Sequence, residues 1–305
     1  MSEVTAAKVK ELREKTGAGM MDAKKALEDT KGDMEAAMEV LRKKGMAKAD
    51  KKSSRTAAEG LVAVVTDGAK GAVIELNAET DFVSRNEEFQ AFVAKVANKA
   101  IEVDNVEALA AAAVDGKPVK DGLTALIAKI GENMTLRRMQ KLEVSKGAVV
   151  SYMHGALKDG MGKIGVLVAL ESTADKAALE AVGKQVAMHV AAAFPKFLDR
   201  ASVDAAEMAK ERTFLIEQAK AEGKPAEIAE KMVEGRMRKF YEEVCLMDQI
   251  FVIDGETRIA DVIAKAGKEA GAEIKLAGFA RFQLGDGIEK EAEDFAAEVS
   301  KVANG

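Results

Sequence analysis

Apolar residues at helical spacing open the chain. Val9 and Leu12 share one side of a run that begins after Thr5, a side chain able to cap a helix start, and Gly17 supplies a stop. Met20 and Met21 begin a second run that continues through Ala26 and Leu27. Asp33 is placed to cap a third, in which Met34, Ala37, Met38 and Leu41 form the stripe and Gly45 marks the end. Residues 46–56 carry Lys48, Lys51, Lys52, Ser53, Ser54 and Arg55 with almost no large apolar group, and read as a solvated connector, extended or helical.

The period then changes. Leu61–Thr66 and Ala72–Asn77 read as strands joined at Asp67-Gly68. A helix carrying Phe89, Phe92, Val93, Val96 and Ala100 follows, then two more helices around 106–114 and 120–131 and a strand-like run over 134–144. Val149–His154 and Ile164–Leu170 form a second strand pair across a Gly-rich loop, 155–163, before a helix with Leu179, Val182, Val186 and Val190. Strand, polar corner and helix thus recur about 94 residues apart, Gly71 against Gly165, a weak internal repeat that predicts two related subdomains. From Ser202 the pattern is long and helical, broken at Glu222-Gly223-Lys224-Pro225. Gly then Pro stops and restarts a helix, so an antiparallel hairpin over about 199–246 is expected as a projecting arm. Beyond it come a strand at 250–253, a helix near 258–270, a strand near 274–284 and a last helix, 288–302, with Phe295 and Val299. The fold class expected is α+β. Its parts are a three-helix module with connector (1–55), a core N-subdomain (56–146), a core C-subdomain holding the hairpin (147–287) and a C-terminal helical module (288–305).

Composition narrows the function classes. The chain has 305 residues, no Trp and two Tyr, which argues against aromatic platforms for nucleic acid. Net charge is −5, unevenly spread: residues 1–55 hold 14 Lys/Arg against 10 Asp/Glu, a balance of +4, leaving −9 on the rest. A mildly basic module on an acidic body suits docking on an acidic protein surface and is too small a bias for a dedicated nucleic-acid binder. Cys245 is the single cysteine, in keeping with a reducing compartment. The N-terminus lacks the charged and apolar parts of a signal sequence, and no apolar run nears the ~20 residues that span a bilayer. A cytoplasmic protein that makes no direct contact with nucleic acid or membrane is expected. No phosphate-loop motif or Cys/His zinc cluster is present, so no cofactor is expected; Gly160-Met161-Gly162 before Lys163 reads as a hairpin turn between strands.

The corner at Thr80-Asp81-Phe82-Val83 concentrates the chemistry. A carboxylate and a benzyl ring stand side by side between a strand and a helix, among Asn77, Glu79, Ser84, Arg85 and Asn86. Two readings are open. The ring is either an external wedge into a partner, or a buried Phe with Asp81 helping to cap the next helix.

Ordered words along the whole chain carry a resemblance. They include Val9-Lys10-Glu11-Leu12-Arg13-Glu14-Lys15-Thr16-Gly17-Ala18-Gly19-Met20-Met21-Asp22-Ala23-Lys24-Lys25-Ala26-Leu27 and Thr80-Asp81-Phe82-Val83. Further on stand Lys129-Ile130-Gly131-Glu132-Asn133, Tyr152-Met153-His154-Gly155, Met188-His189-Val190-Ala191-Ala192 and Glu227-Ile228-Ala229-Glu230-Lys231-Met232. Together they strongly resemble the bacterial elongation factor Ts family, nucleotide-exchange factors for the GTPase elongation factor Tu. The resemblance implies that the first module is ubiquitin-associated-like. It implies that Asp81 and Phe82 enter the GTP-binding domain of elongation factor Tu beside its magnesium site, with Thr80 and Val83 in the same contact. It sets His154 close to that wedge, Ile130 and Gly131 against the partner, Lys24 on a helix docking on the GTP-binding domain, and Val252 and Ile253 against the third domain of elongation factor Tu. Some relatives carry Met where this chain has Ile253. His189 reads as structural packing. The implied partner is elongation factor Tu, GDP-bound and nucleotide-free, with no covalent chemistry; the hairpin is either a self-association arm giving a homodimer or an elaborated piece of core. Two rivals remain at this point, an adaptor using the three-helix module alone and a hydrolase using Asp81 and His154.

Overall fold

The computed structural model describes residues 4–223 and 225–289. Its first three helices are α1 (Ala6–Thr16), α2 (Met20–Asp29) and α3 (Met34–Asp50). Thr5 Oγ1 caps α1 and Asp33 caps α3 through side-chain oxygens, while Gly17 closes α1 at φ +74°. Leu12, Ala23, Ala26, Leu27 and Ala37 form the buried centre of this module, with Val9, Met34, Met38 and Leu41 packed around it.

Here one expectation fails. Gly45 does not end α3; the helix runs on to Asp50, so half of the anticipated connector is helical. Gly45 is buried, and a side chain placed there would reach Ala128 at 3.7 Å. That distance is an ordinary contact, so the position has room for a methyl group, and the helix continues because a mid-helix glycine costs only about 1 kcal/mol relative to alanine.

The body continues with β1 (Glu59–Asp67), β2 (Lys70–Ala78), the single turn α4 (Asp81–Ser84), α5 (Glu87–Ala100), α6 (Val106–Ala111), the two-residue strands β3 (Ala113–Val114) and β4 (Lys117–Pro118), α7 (Val119–Ile130) and β5 (Met134–Glu143). Then come β6 (Gly147–His154), β7 (Met161–Gly162), β8 (Ile164–Ser172), α8 (Lys176–Ala193), α9 (Ala205–Ala221), α10 (Ala226–Val244), α11 (Ile259–Ala270) and β9 (Ile274–Gln283). One sheet has the order β5-β2-β1-β7 and another β6-β8-β9, and β6 runs antiparallel to β8 from Gly147 opposite Glu171 to His154 opposite Ile164. The fold is α+β.

One reading is extended and one corrected. The Gly160-Met161-Gly162 segment does turn, with Lys158 and Met161 bridged antiparallel, and Met161–Gly162 is in addition an edge strand, Val64 donating its N–H to Gly160 C=O. Residues 250–253 are not a strand: Ile250 makes a lone bridge to Arg258, and the chain turns through 252–254. The anticipated helix at 288–302 lies, beyond Glu289, outside the described residues.

The chain forms two compact units. Among the described residues, the first takes 4–62, 74–139 and 283–289, the second 63–73, 140–223 and 225–282. In the first, α5 buries Phe89, Val93, Val96, Ala97 and Ala100 on one face. Glu75 on β2 is fully buried yet fully engaged. It accepts from Arg138 Nε (2.6 Å), Arg137 (3.1 Å), Asn77 Nδ2 (3.0 Å) and the Gly285 N–H (2.9 Å). Burial pushes its carboxyl up, but Gly285, Asn77 and Arg138 outweigh that and hold it below the usual carboxylate range. In the second, α8 buries Leu179, Val182, Val186 and Val190 against β6 and β8, with Ile259 and Ile263 of α11 completing the core. The hairpin α9–α10 has an apolar seam of its own, built from Leu215, Val233 and Met237. At its base Val203, Val244 and Cys245 form a further cluster, where burial pushes the Cys245 thiol up to about 11 and leaves it unreactive.

Candidate functional site

The two strand–corner–helix repeats differ at the corner. Between β8 and α8 the chain needs only residues 173–175, with Asp175 capping the helix directly. Between β2 and α5 it spends residues 79–86, and the extra length is the turn α4. Asn86, not Asp81, caps α5, accepting from the Glu88 and Phe89 N–H groups.

Within that turn neighbouring side chains go opposite ways. Phe82 is 78% exposed, whereas Val83 is 3% exposed and anchors the turn from below. Val83, named with Thr80, Asp81 and Phe82 among the expected contact residues, lies beneath the surface of this turn. Asp81 is also exposed, 3.9 Å from Arg85, which leaves its carboxylate available. Exposing one benzyl ring forgoes about 1.5–3 kcal/mol of burial, so the fold retains this ring outside at a cost.

Thr80, just before the turn, is clamped. Its N–H donates to Glu132 Oε2 at 2.9 Å and its hydroxyl to Glu132 Oε1 at 2.7 Å. In the opposite sense Asn133 donates its N–H to Glu79 Oε1, and its side-chain amide donates to Arg55 C=O at 2.7 Å. Arg55 pairs with Glu79 at 3.4 Å. The chain reaches Glu132 directly from Ile130 and Gly131. Gly131 closes α7 at φ +90°, a conformation open to glycine at no steric cost, and donates its N–H to Ile127 C=O. Thr80, Asp81, Phe82, Ile130 and Gly131 are thereby brought together at one end of α7. Lys24 lies elsewhere in this unit, exposed on α2 as Met20 and Met21 are, and faces Glu28 at 3.7 Å.

The second unit holds the other expected residues. His154 ends β6, exposed, with Nδ1 3.3 Å from the Tyr152 hydroxyl. Val252 and Ile253 sit about half exposed on the turn after Ile250. That turn is held by His189. The buried ring accepts the Val252 N–H at Nδ1 (3.2 Å), which requires Nε2 to carry the proton it shares with Gln249 Oε1 (2.8 Å). Gln249 in turn donates its amide to Glu243 C=O at 2.7 Å. Burial lowers the His189 pKa, against the opposing pull of Gln249, so the ring stays neutral.

Sequence reasoning passed over the residues that fix these surfaces: Glu79, Glu132 and Asn133 in one unit, Gln249 in the other. A visible signal was the carboxylate and amide pair directly after the helix-stopping Gly131. Among the described residues no group of three or more His, Cys, Asp or Glu is placed to hold a metal, and no helix is long and apolar enough to cross a membrane.

Comparison with known proteins bears on both surfaces. A family model described as Elongation factor TS matches residues 79–286, a span that opens at Glu79 and contains both. Elongation factor Ts of Paramagnetospirillum magneticum is 62% identical over 306 residues, covering 99% of this chain and 98% of its own. The Rhodospirillum rubrum protein of that name is 62% identical over 304 residues, covering 98% of each. One from Rhizobium etli is 57% identical over 308 residues and covers 100% of both.

Proposed function

The chain belongs to the elongation factor Ts family, and on that premise we propose that it binds elongation factor Tu carrying GDP in the cytoplasm, expels the nucleotide and leaves an empty form for GTP to fill. The observation that carries this reading is the exposed Phe82 ring on a turn whose neighbour, Val83, is buried. A ring held this way can enter a partner without unpacking its own protein. Protein interiors are close-packed, so an inserted ring forces a discrete repacking. The adjacent Asp81 carboxylate disturbs the polar groups that hold magnesium on the GTPase. Loss of the ion leaves the diphosphate charges unscreened and weakens nucleotide binding. No bond is made or broken.

Ile130 and Gly131, joined to the same corner through Glu132, supply a second contact. His154, Val252 and Ile253 supply contacts from the second unit, and Lys24 a docking charge. The coupling is reciprocal: a nucleotide bound to elongation factor Tu weakens its hold on this protein by the same factor. The test is release of fluorescent GDP from purified elongation factor Tu. Release should accelerate with this chain and fall back strongly with Phe82→Ala; no acceleration by the folded wild-type chain refutes the exchange reading.

A further inference from the structure

Four residues of helix, Asp81–Ser84, have no stability of their own. The Phe82 ring adds none, because it touches little of its own protein. Its orientation is inherited from Val83 below and from whatever fixes the start of the turn. Thr80 occupies the N-cap position but makes no side-chain cap bond to the helix. Its hydroxyl and its N–H are both turned to the two oxygens of one carboxylate, Glu132. The link is answered in reverse by Glu79, which accepts the Asn133 N–H and is itself paired with Arg55. Two segments more than 50 residues apart in sequence thus cap each other's backbone reciprocally. One of them leads into Asp81–Phe82, and the other is the direct continuation of Ile130–Gly131.

We propose that Glu132 is a positioning residue for nucleotide exchange: by gripping Thr80 at both its N–H and its hydroxyl, it locks the Asp81–Phe82 turn in register with Ile130–Gly131, so that the partner meets one preorganised face. The inference rests on the exchange reading and deepens it. Its physical content is that ordering carried out during folding is not repeated at binding. A clasp that only stabilised the loops would change folding stability and leave the order of the ring and the rate of release untouched.

The chain contains no Trp, so Phe82→Trp creates a single Trp, excited apart from the two Tyr, as a reporter at the ring itself. Time-resolved anisotropy of that variant, free of partner, reads local order. Adding Glu132→Ala should enlarge the fast local motion, and Glu132→Gln, which keeps one acceptor oxygen, should preserve much of the order. In the Phe82 chain, Glu132→Ala should lower GDP release at saturating protein by about ten- to a hundredfold. The half-saturating concentration should change by less than about threefold, because the other contacts remain. Glu132→Ala added to Phe82→Ala should cost little more than Phe82→Ala alone, since both act through one ring.

If Glu132→Ala does not fold, Thr80→Val carries the test, because it keeps the N–H bond and loses only the hydroxyl. Unchanged anisotropy, wild-type release by folded Glu132→Ala, or full additivity with Phe82→Ala would each overturn the proposal. A wild-type chain that fails to speed release overturns the exchange reading instead, and the anisotropy still decides whether Glu132 orders the turn.

Discussion

Adjacent residues 82 and 83 should respond to truncation in opposite ways. Val83 is buried and Phe82 is not. Val83→Ala should lower folding stability by roughly 1–3 kcal/mol. Phe82→Ala should leave stability almost unchanged and cost upwards of about 2 kcal/mol in the barrier to GDP release, as loss of an interface hot spot does. A denaturant midpoint and a release rate on the same samples check this; a large fall in midpoint for Phe82→Ala with an unimpaired rate would restore the core reading of that ring. The sequence singled out this corner but could not say which side chain faced out. Alternation along a single helical turn cannot be read from spacing, because four residues hold barely one period. The clasp was less visible still. Glu132 and Thr80 lie 52 residues apart, and nothing local to either residue announces the other.

Elements were legible wherever a stripe ran for several turns or a strand alternated between two turn signals. The three helices of the N-terminal module, α5, α8, the α9–α10 hairpin and the paired strands all followed from such patterns. The failures share a cause. Gly45 looked like a helix stop because glycine often is one, but it lies buried on the face of α3 that meets Ala128, and the helix runs through it. Residues 250–253 are apolar, three of them β-branched and one aromatic, which fits a strand, but they turn, and His189 takes the Val252 N–H that a ladder would have used. For the hairpin, the seam of Leu215, Val233 and Met237 is separate from the main core, while Phe214 and Ile228 stand exposed. Deleting residues 215–230 should therefore alter the concentration dependence of sedimentation more than the rate of GDP release. Lost release in a variant whose core still unfolds cooperatively would make the hairpin part of the exchange surface.

For the whole molecule, acid should act on the two units in sequence. His189, in the second unit, has a pKa lowered by burial, so the unfolded chain binds its proton first. Its contribution is complete above the unfolded value of about 6.5 and is lost as pH falls below it. Glu75, in the first unit, has a carboxyl held below its ordinary range. Its contribution is complete above about 4.3 and is lost only as pH falls further. Amide exchange, corrected for the intrinsic effect of pH, should rise around residues 249–253 and α8 near pH 5.5 while β2 and β5 stay protected. Equal loss in both units, or loss in the first alone, would contradict this order.

The bond between Glu75 and the Gly285 N–H has a consequence for how the chain is made. Its two ends are 210 residues apart, and the first unit draws on both. A ribosome adding about 5–20 residues each second needs roughly 10–40 s to pass from one to the other. Through that interval a carboxylate destined for the interior has Asn77, Arg137 and Arg138 within reach but not its last donor. A strand made early is therefore among the last parts to be finished, and a nascent chain stopped before Gly285 should present β2 to proteases and chaperones that the completed protein excludes.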